Sequence, residues 1–181
     1  RAGITAGGRL CLHQGAVDIG QGSNTVIPQI FADALGLQLG RITLIGADTA
    51  LTPDCGKTSG SRQTYVTGNA ALLAGQALRA RILAQSNMGP DARIALDGGS
   101  LTVSDGQEQR RIELADLAPD AHGYVLAAEE TYDPPTTPLD EDGQGAPYAV
   151  YGYGAQIAEV AVDTTLGTVK VTQITAAHDL G

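Results

Sequence analysis

Residues 9–20, RLCLHQGAVDIG, alternate apolar and polar positions and predict a strand with a bulge near Gly15. The pattern then changes period. Val26, Ile27, Ile30, Phe31, Ala34 and Leu35 fall on one face of a helix capped by Ser23 or Asn24 and ended by Gly36, with Pro28 near its first turn. A short apolar strand, 41–48, leads into a loop rich in Gly, Thr, Ser and Asp. A long helix follows over 62–85, with Val66, Ala70, Leu73, Ala77 and Ala80 predicted to face the sheet. Beyond residue 90 the period is that of strands. Asp97-Gly98-Gly99 marks a hairpin within 92–106, the segment QRRIELADLA adds a strand, and 123–135 reads as a strand ending at prolines. The stretch 136–149 is loop by composition, and 155–179 gives two strands around Thr165-Leu166-Gly167.

These elements predict one domain over 1–181 of the α/β (α+β) class: a mixed sheet with helices packed on one face and a β-rich C-terminal half. Residues 1–90 form a β-α-β-α half, and residues 91–181 form a β-rich half that continues the sheet.

Composition sharpens the picture. With 43% hydrophobic and 17% charged residues the chain is globular, and 4% aromatics with no Trp leave its core to Ala, Val, Leu and Ile. The net charge of −9 argues against nucleic acid as a partner, because phosphate neutralisation needs clustered Lys and Arg. It leaves room for a single small anion held by backbone N–H groups. No apolar run reaches the roughly 18 residues of a membrane span, and the two widely spaced cysteines, Cys11 and Cys55, read as free thiols of a cytoplasmic protein. The first residue is Arg1, so the chain reads as an excised piece of a longer one.

Two loops carry the candidate chemistry. In DIGQGSNT, 18–25, Gly20 and Gly22 permit close approach of a ligand, Gln21 can donate and accept, and Ser23 opens a helix whose first N–H groups favour an anion. The structural alternative is a capped helix after a glycine turn. In GKTSGSRQTYVTGN, 56–69, Lys57-Thr58 follows Gly56, but Leu51 stands where a phosphate loop requires its first glycine. This loop offers Ser59, Gly60, Ser61, the fixed cation of Arg62 and the amide of Gln63. The alternative for Arg62 is a surface ion pair. Together, two helix beginnings with polar loops suit the two ends of one extended, phosphate-bearing ligand.

The strings DIGQGSNTVIPQI and GADTALTPDCGKTSGSRQTYVTGNAA, followed by YGYGAQIAEVAVDTTLGTVKVTQITAAHDLG, resemble the molybdopterin-binding large subunit of the molybdenum hydroxylases, the xanthine dehydrogenase and aldehyde oxidoreductase family. The resemblance runs from about residue 9 to 181 and rests on three segments in order. It implies a molybdopterin cofactor, in the cytosine dinucleotide form and with Mo in the full-length enzyme. Gln21, Gly22, Ser23, Ser59, Gly60, Ser61, Arg62 and Gln63 would contribute to its binding. It further implies an oxidoreductase that hydroxylates an N-heterocycle or aldehyde with water-derived oxygen. Its partners would be the remainder of its own large subunit, iron–sulfur and FAD subunits or domains, and a small-molecule substrate. The glutamate segment through which the family acts is not found here, so no catalytic residue is assigned and the fragment alone is expected to be inactive.

The other candidates read as structural. Glu129, Glu130 and Glu159 sit in strand contexts, His13, His122 and His178 lack ligand spacing, and Cys55 is a small loop residue near Lys57. Asp179 reads as a turn residue, and 139–145 is too short for an EF-hand loop. No metal ligand is assigned. The rival functions are a free-standing phosphate or nucleotide module and a cofactor-free assembly domain.

Overall fold

A computed structural model describes residues 1–179. The chain separates into two compact units, Arg1–Pro134 and Pro135–Gly181.

The first unit holds both helices. Strands β1 (Ala2–Thr5), β2 (Leu10–His13), β3 (Ile42–Ile45) and β7 (Tyr124–Ala128) form a sheet in the order β3-β2-β1-β7. β1 pairs antiparallel with β2 and β7, whereas β2 and β3 run parallel, in register from Leu10↔Ile42 to His13↔Ile45. A second, antiparallel sheet is built from β4 (Arg93–Asp97), β5 (Ser100–Ser104) and β6 (Gln109–Glu113). The expected continuous sheet is therefore corrected: of the second-half strands only β7 joins the main sheet. β1 was not anticipated, because a four-residue AGIT segment is too short for a periodic signal. The expected strand over 9–20 is four residues long, and the chain leaves the sheet after His13.

Alternation sends Ala2, Ile4, Leu10 and Leu12 to one sheet face, where they meet Ile27, Phe31 and Leu35 of helix α1 (Ser23–Leu35) and Leu78 and Ile82 of helix α2 (Arg62–Ser86). Both helices pack on that face, as the pattern predicted. Each fully buried Leu or Ile contributes roughly 1.5–3 kcal/mol against exposure. The other face is crossed by the Tyr124 ring, which lies over Gly3; a Cβ there would sit 2.2 Å from Tyr124 Cγ.

α1 ends as expected at Gly36, whose φ of 80° lets its N–H reach the carbonyls of Ala32 and Asp33. Pro28 is the sixth residue of α1 and not part of its first turn, so the helix forgoes one interior hydrogen bond there. The buried stripe of α2 is also rotated from expectation. Gln63, Thr67, Ala71, Ala74, Gly75, Leu78 and Ile82 are buried, Val66 is shared, Leu73 and Ala80 are exposed, and Ala70 and Ala77 are half-buried. The stripe follows α1 rather than the sheet alone. At Gly75 an added Cβ would stand 2.7 Å from Ala34 Cβ and 2.9 Å from the Phe31 carbonyl oxygen, so the two helices touch backbone to backbone. Arg79 locks this contact from the C-terminal side, donating to the carbonyls of Leu35, Pro90 and Ala92 at 3.3, 3.0 and 2.6 Å.

The second unit contains β8 (Tyr153–Asp163) and β9 (Thr168–Asp179), paired antiparallel around the turn predicted at Thr165-Leu166-Gly167.

Gly75→Val forces the α1–α2 contact apart and is expected to destabilise the protein by about 1–3 kcal/mol. Gln76→Val, on the exposed side, is expected to be near neutral. Denaturant midpoints of the two variants check this, and equal midpoints would remove the close helix contact from the account.

Candidate functional site

The β2-α1-β3 crossover brings two loops to one edge. Because β2 and β3 are adjacent and parallel, the segments that leave them, 14–22 and 46–61, both start at the carboxyl ends of their strands. That edge is where open α/β sheets bind ligands. The loops are fastened together. Val17 N–H donates to Thr58 Oγ1 at 3.1 Å, and Gly15 lies so close to the second loop that a Cβ would meet the Pro53 carbonyl oxygen at 2.3 Å.

The first loop folds around Asp18. Its carboxylate accepts from the N–H groups of Gly20 (2.9 Å), Gly22 (3.3 Å) and Asn24 (3.0 Å), and these bonds hold its pKa below the usual carboxylate range, with Asn24 the largest cause. The expected cap at Ser23 or Asn24 is therefore corrected. The N-cap residue is Gly22, in the left-handed region at φ 82°, and Asp18 supplies the missing acceptor from outside the helix. Ser23 is buried. Gln21 is exposed, yet both ends of its amide are used locally: Oε1 accepts from Ile19 N–H at 2.6 Å, and Nε2 donates to the Val17 carbonyl at 2.8 Å and to Ser23 Oγ at 3.4 Å. Asp18 was missed by sequence reasoning. An Asp four residues ahead of a helix-opening glycine was the available signal.

The second loop folds around Arg62 and Gln63. Arg62 Nη1 donates to the carbonyls of Cys55 (2.7 Å) and Lys57 (2.9 Å), and no ion pair involves Arg62 among the described residues. Gln63 Nε2 donates to the Lys57 carbonyl and to Thr58 Oγ1, both at 3.0 Å, and Gln63 Oε1 accepts from Thr67 Oγ1. Gly60 (φ 59°) and Ser61 (φ 56°) are consecutive left-handed residues that turn the chain into α2, and no side chain caps that helix.

Gln21 on one side and Ser59, Gly60, Ser61, Arg62 and Gln63 on the other line a single cleft of about 320 Å³. Six of the eight candidate residues thus come together, while Gly22 and Ser23 lie outside the lining. Thr58, Thr64 and Ile19 also line the cleft, and no carboxylate does.

A second cavity of about 260 Å³ also borders Arg62 and is lined by His13, Gln14, Cys55 and Tyr132 together with the carboxylates of Asp54, Glu129, Glu130 and Asp133. His13 is a satisfied core histidine, as expected. Its Nδ1 lies 2.9 Å from the Leu51 carbonyl, which can only accept, so the neutral ring carries its proton there and accepts from the Tyr124 hydroxyl at Nε2 (2.5 Å). Burial holds the His13 pKa down and pushes that of Tyr124 up to about 12. Glu129 pairs with Arg1 at 2.6 Å, a structural role. Among the described residues no cluster of three His, Cys, Asp or Glu could hold a metal ion, and no helix is long and apolar enough to cross a membrane.

A family model described as the molybdopterin cofactor-binding domain matches residues 1–181. The chain is 29% identical to the putative xanthine dehydrogenase molybdenum-binding subunit XdhA of Escherichia coli K12, over 97% of this chain and 24% of the relative. It is 31% identical to the aldehyde oxidoreductase of Megalodesulfovibrio gigas, over 99% of this chain and 18% of the relative. The crystal structure of the aldehyde oxidoreductase from Desulfovibrio desulfuricans ATCC 27774 superposes with a TM-score of 0.69 at 26% identity, covering 99% of this chain and 18% of that one. The chain thus spans a quarter or less of the length of these relatives.

Two measurements check the loop anchors. Because the Asp18 pKa is depressed in the native state, its contribution to stability is present above the unfolded carboxylate value and is lost as pH falls through the native value. Protection of the Gly20 and Asn24 amides, taken relative to their intrinsic exchange rates at each pH, is expected to fall over that acid range, and in Asp18→Ala to be lost already at neutral pH. Unchanged exchange in the variant would rule out the anchoring role. For His13, the lowered native pKa means that stability is full above the ordinary value of 6.5 and declines as pH drops below it. Tyr124→Phe leaves the ring nitrogen without a donor and is expected to cost about 1–3 kcal/mol. Imidazole NMR that finds Nε2 protonated at neutral pH would contradict the assigned tautomer.

Proposed function

We propose, from the premise that this chain belongs to the molybdopterin cofactor-binding domain family, that the cleft between its two loops receives the phosphate-bearing part of the cofactor. Gln21, Ser59, Gly60, Ser61, Arg62 and Gln63 form its wall, and Gly22 and Ser23 fix the helix start beside Gln21. One observation carries the reading: in a chain of net charge −9, the start of a 25-residue helix borders a cleft whose polar lining is Ser and Thr residues, the amides of Gln21 and Gln63 and the Arg62 guanidinium, with Ile19 beside them and no carboxylate. A helix start favours an anion through its free N–H groups and its dipole.

The two helix starts are not equivalent. Asp18 already occupies the start of α1 and would repel a phosphate, so the phosphate belongs at α2. Arg62 spends Nη1 on the loop carbonyls, which holds its positive charge in the cleft wall. Gln21, tied at both ends of its amide, is presented in a fixed orientation. Ser59 and Ser61 supply hydroxyl donors at the mouth of the helix. Arg62 borders both the cleft and the second cavity; the acidic lining of that cavity keeps the phosphate on the cleft side. The cytosine dinucleotide form of the cofactor is proposed from the family resemblance and not from this cleft.

When bound, the cofactor supplies molybdenum-centred redox chemistry, which in the whole enzyme would hydroxylate an N-heterocycle or aldehyde with oxygen from water. This chain orients the cofactor and is assigned no catalytic residue. It is read as one excised domain of the molybdenum-binding part of a larger cytoplasmic subunit. Its partners are the remainder of that subunit, iron–sulfur and FAD subunits or domains, and a small-molecule substrate. The family match along the whole chain favours this reading over a free-standing phosphate module or a cofactor-free assembly domain.

Ser59→Tyr in the full-length enzyme fills the cleft and removes none of the side-chain bonds that fold the loop. Molybdenum and released pterin nucleotide, quantified by mass spectrometry, are expected to fall about tenfold or more, a binding loss of about 1.4 kcal/mol, with the melting temperature of the apoprotein unchanged. Full cofactor occupancy in that variant would refute the placement.

A further inference from the structure

Resting on the reading that this chain is part of a longer subunit, we infer that one face of the β8–β9 hairpin docks an apolar, uncharged segment of that same polypeptide. Register and alternation define the face. Ala158 pairs with Ile174, Val160 with Val171 and Val162 with Val169, so these six side chains project to one side. The other side carries Glu159, Asp163, Lys170 and Gln173, with Tyr153 and Ile157 near its beginning. The apolar side lies in solvent: Val160 is 50% exposed and Val169 65%.

The second unit cannot hold itself together by burial. From Pro135 to Asp179 no residue is buried. A lone two-stranded hairpin is marginal in water, and a hydrophobic face becomes stabilising only when something covers it. The face bears no charge within a chain of net charge −9, so an apolar surface fits it and a basic partner or nucleic acid does not. Six small aliphatic side chains offer less than the roughly 800 Å² per partner that a stable dimer requires, which argues against a second copy. Additional polypeptide is the occupant that the comparisons make available: the Desulfovibrio desulfuricans structure reproduces 99% of this chain within a polypeptide of which it is 18%.

The test uses the full-length protein. Val171→Cys places a thiol on the apolar face, and Thr168→Cys places one on the opposite face. Alkylation by N-ethylmaleimide is followed peptide by peptide by mass spectrometry. Val171→Cys is expected to react at least about tenfold more slowly than Thr168→Cys, with the ratio unchanged when the protein is diluted roughly a hundredfold. Equal rates would overturn the inference, because the face would then be solvated. Protection that disappears on dilution would also overturn it, by showing that a second copy covers the face. If Val171→Cys does not accumulate, hydrogen exchange of the wild-type β8 and β9 amides replaces it: slow exchange along both strands supports docking and fast exchange refutes it. Labelling is read on molybdenum-free protein as well as on loaded protein. A failure of the cofactor reading therefore leaves this ratio intact, and the two can fail separately.

Discussion

Parallel pairing of β2 with β3 is the constraint from which the site follows. Parallel neighbours cannot be joined by a tight turn, so α1 has to cross over between them, and the segments leaving both strands emerge at one edge. The lateral order β3-β2-β1-β7 then leaves the other face of the sheet to His13 and Tyr124, whose hydrogen bond reaches on to the Leu51 carbonyl of the second loop. A ladder of four residue pairs thus fixes where both loops begin, and a buried imidazole ties one of them back to the sheet.

Within that frame the loops are shaped by side chains turned on their own backbone. Asp18 gathers three N–H groups, Arg62 two carbonyls, and Gln63 bridges Lys57, Thr58 and Thr67. The same device recurs away from the site: Asp105, Asp120, Asp140 and Asp163 each accept from two backbone N–H groups in turns. Part of the acidity of this chain is therefore turn chemistry and says little about partners.

How far the sequence could be read follows the range of the interactions concerned. The end of α1 at Gly36, the extent of α2 to within a residue and the turn at Thr165-Leu166-Gly167 were legible, because each is settled by neighbours a few positions away. β1 was missed because four residues carry no periodic signal, and the return of β7 to the main sheet was not legible because its partners lie far away in sequence, as with Ala2 and Ala128. The rotated stripe of α2 has the same origin. Small residues at 70, 77 and 80 read as a sheet-facing side, but the contact of Gly75 with Ala34 and Phe31 sets the rotation. At the site, the residue types singled out two loops, and Gln21 and Arg62 of those loops line one cleft. Their hydrogen bonds could not be read, because an Arg that binds an anion and an Arg that folds a loop have the same sequence context.

The two helices that begin at this edge end up with opposite electrostatic assignments, and this gives the cleft its polarity. Each helix start presents partial positive charge. At α1 a carboxylate four residues before Gly22 neutralises it, and glycine suits the turn because of backbone conformation and not lack of space: φ is 105° at Gly20 and 82° at Gly22, while a Cβ at either would meet nothing within 4 Å. At α2 two consecutive left-handed residues, Gly60 and Ser61, bring the chain in without a capping side chain, and Arg62 adds a full positive charge at the first helical position. A cation at a helix start is unfavourable for the helix alone. Here that cation is offset by its own loop: the carbonyls of Cys55 and Lys57 accept from Arg62 and fold the second loop around it.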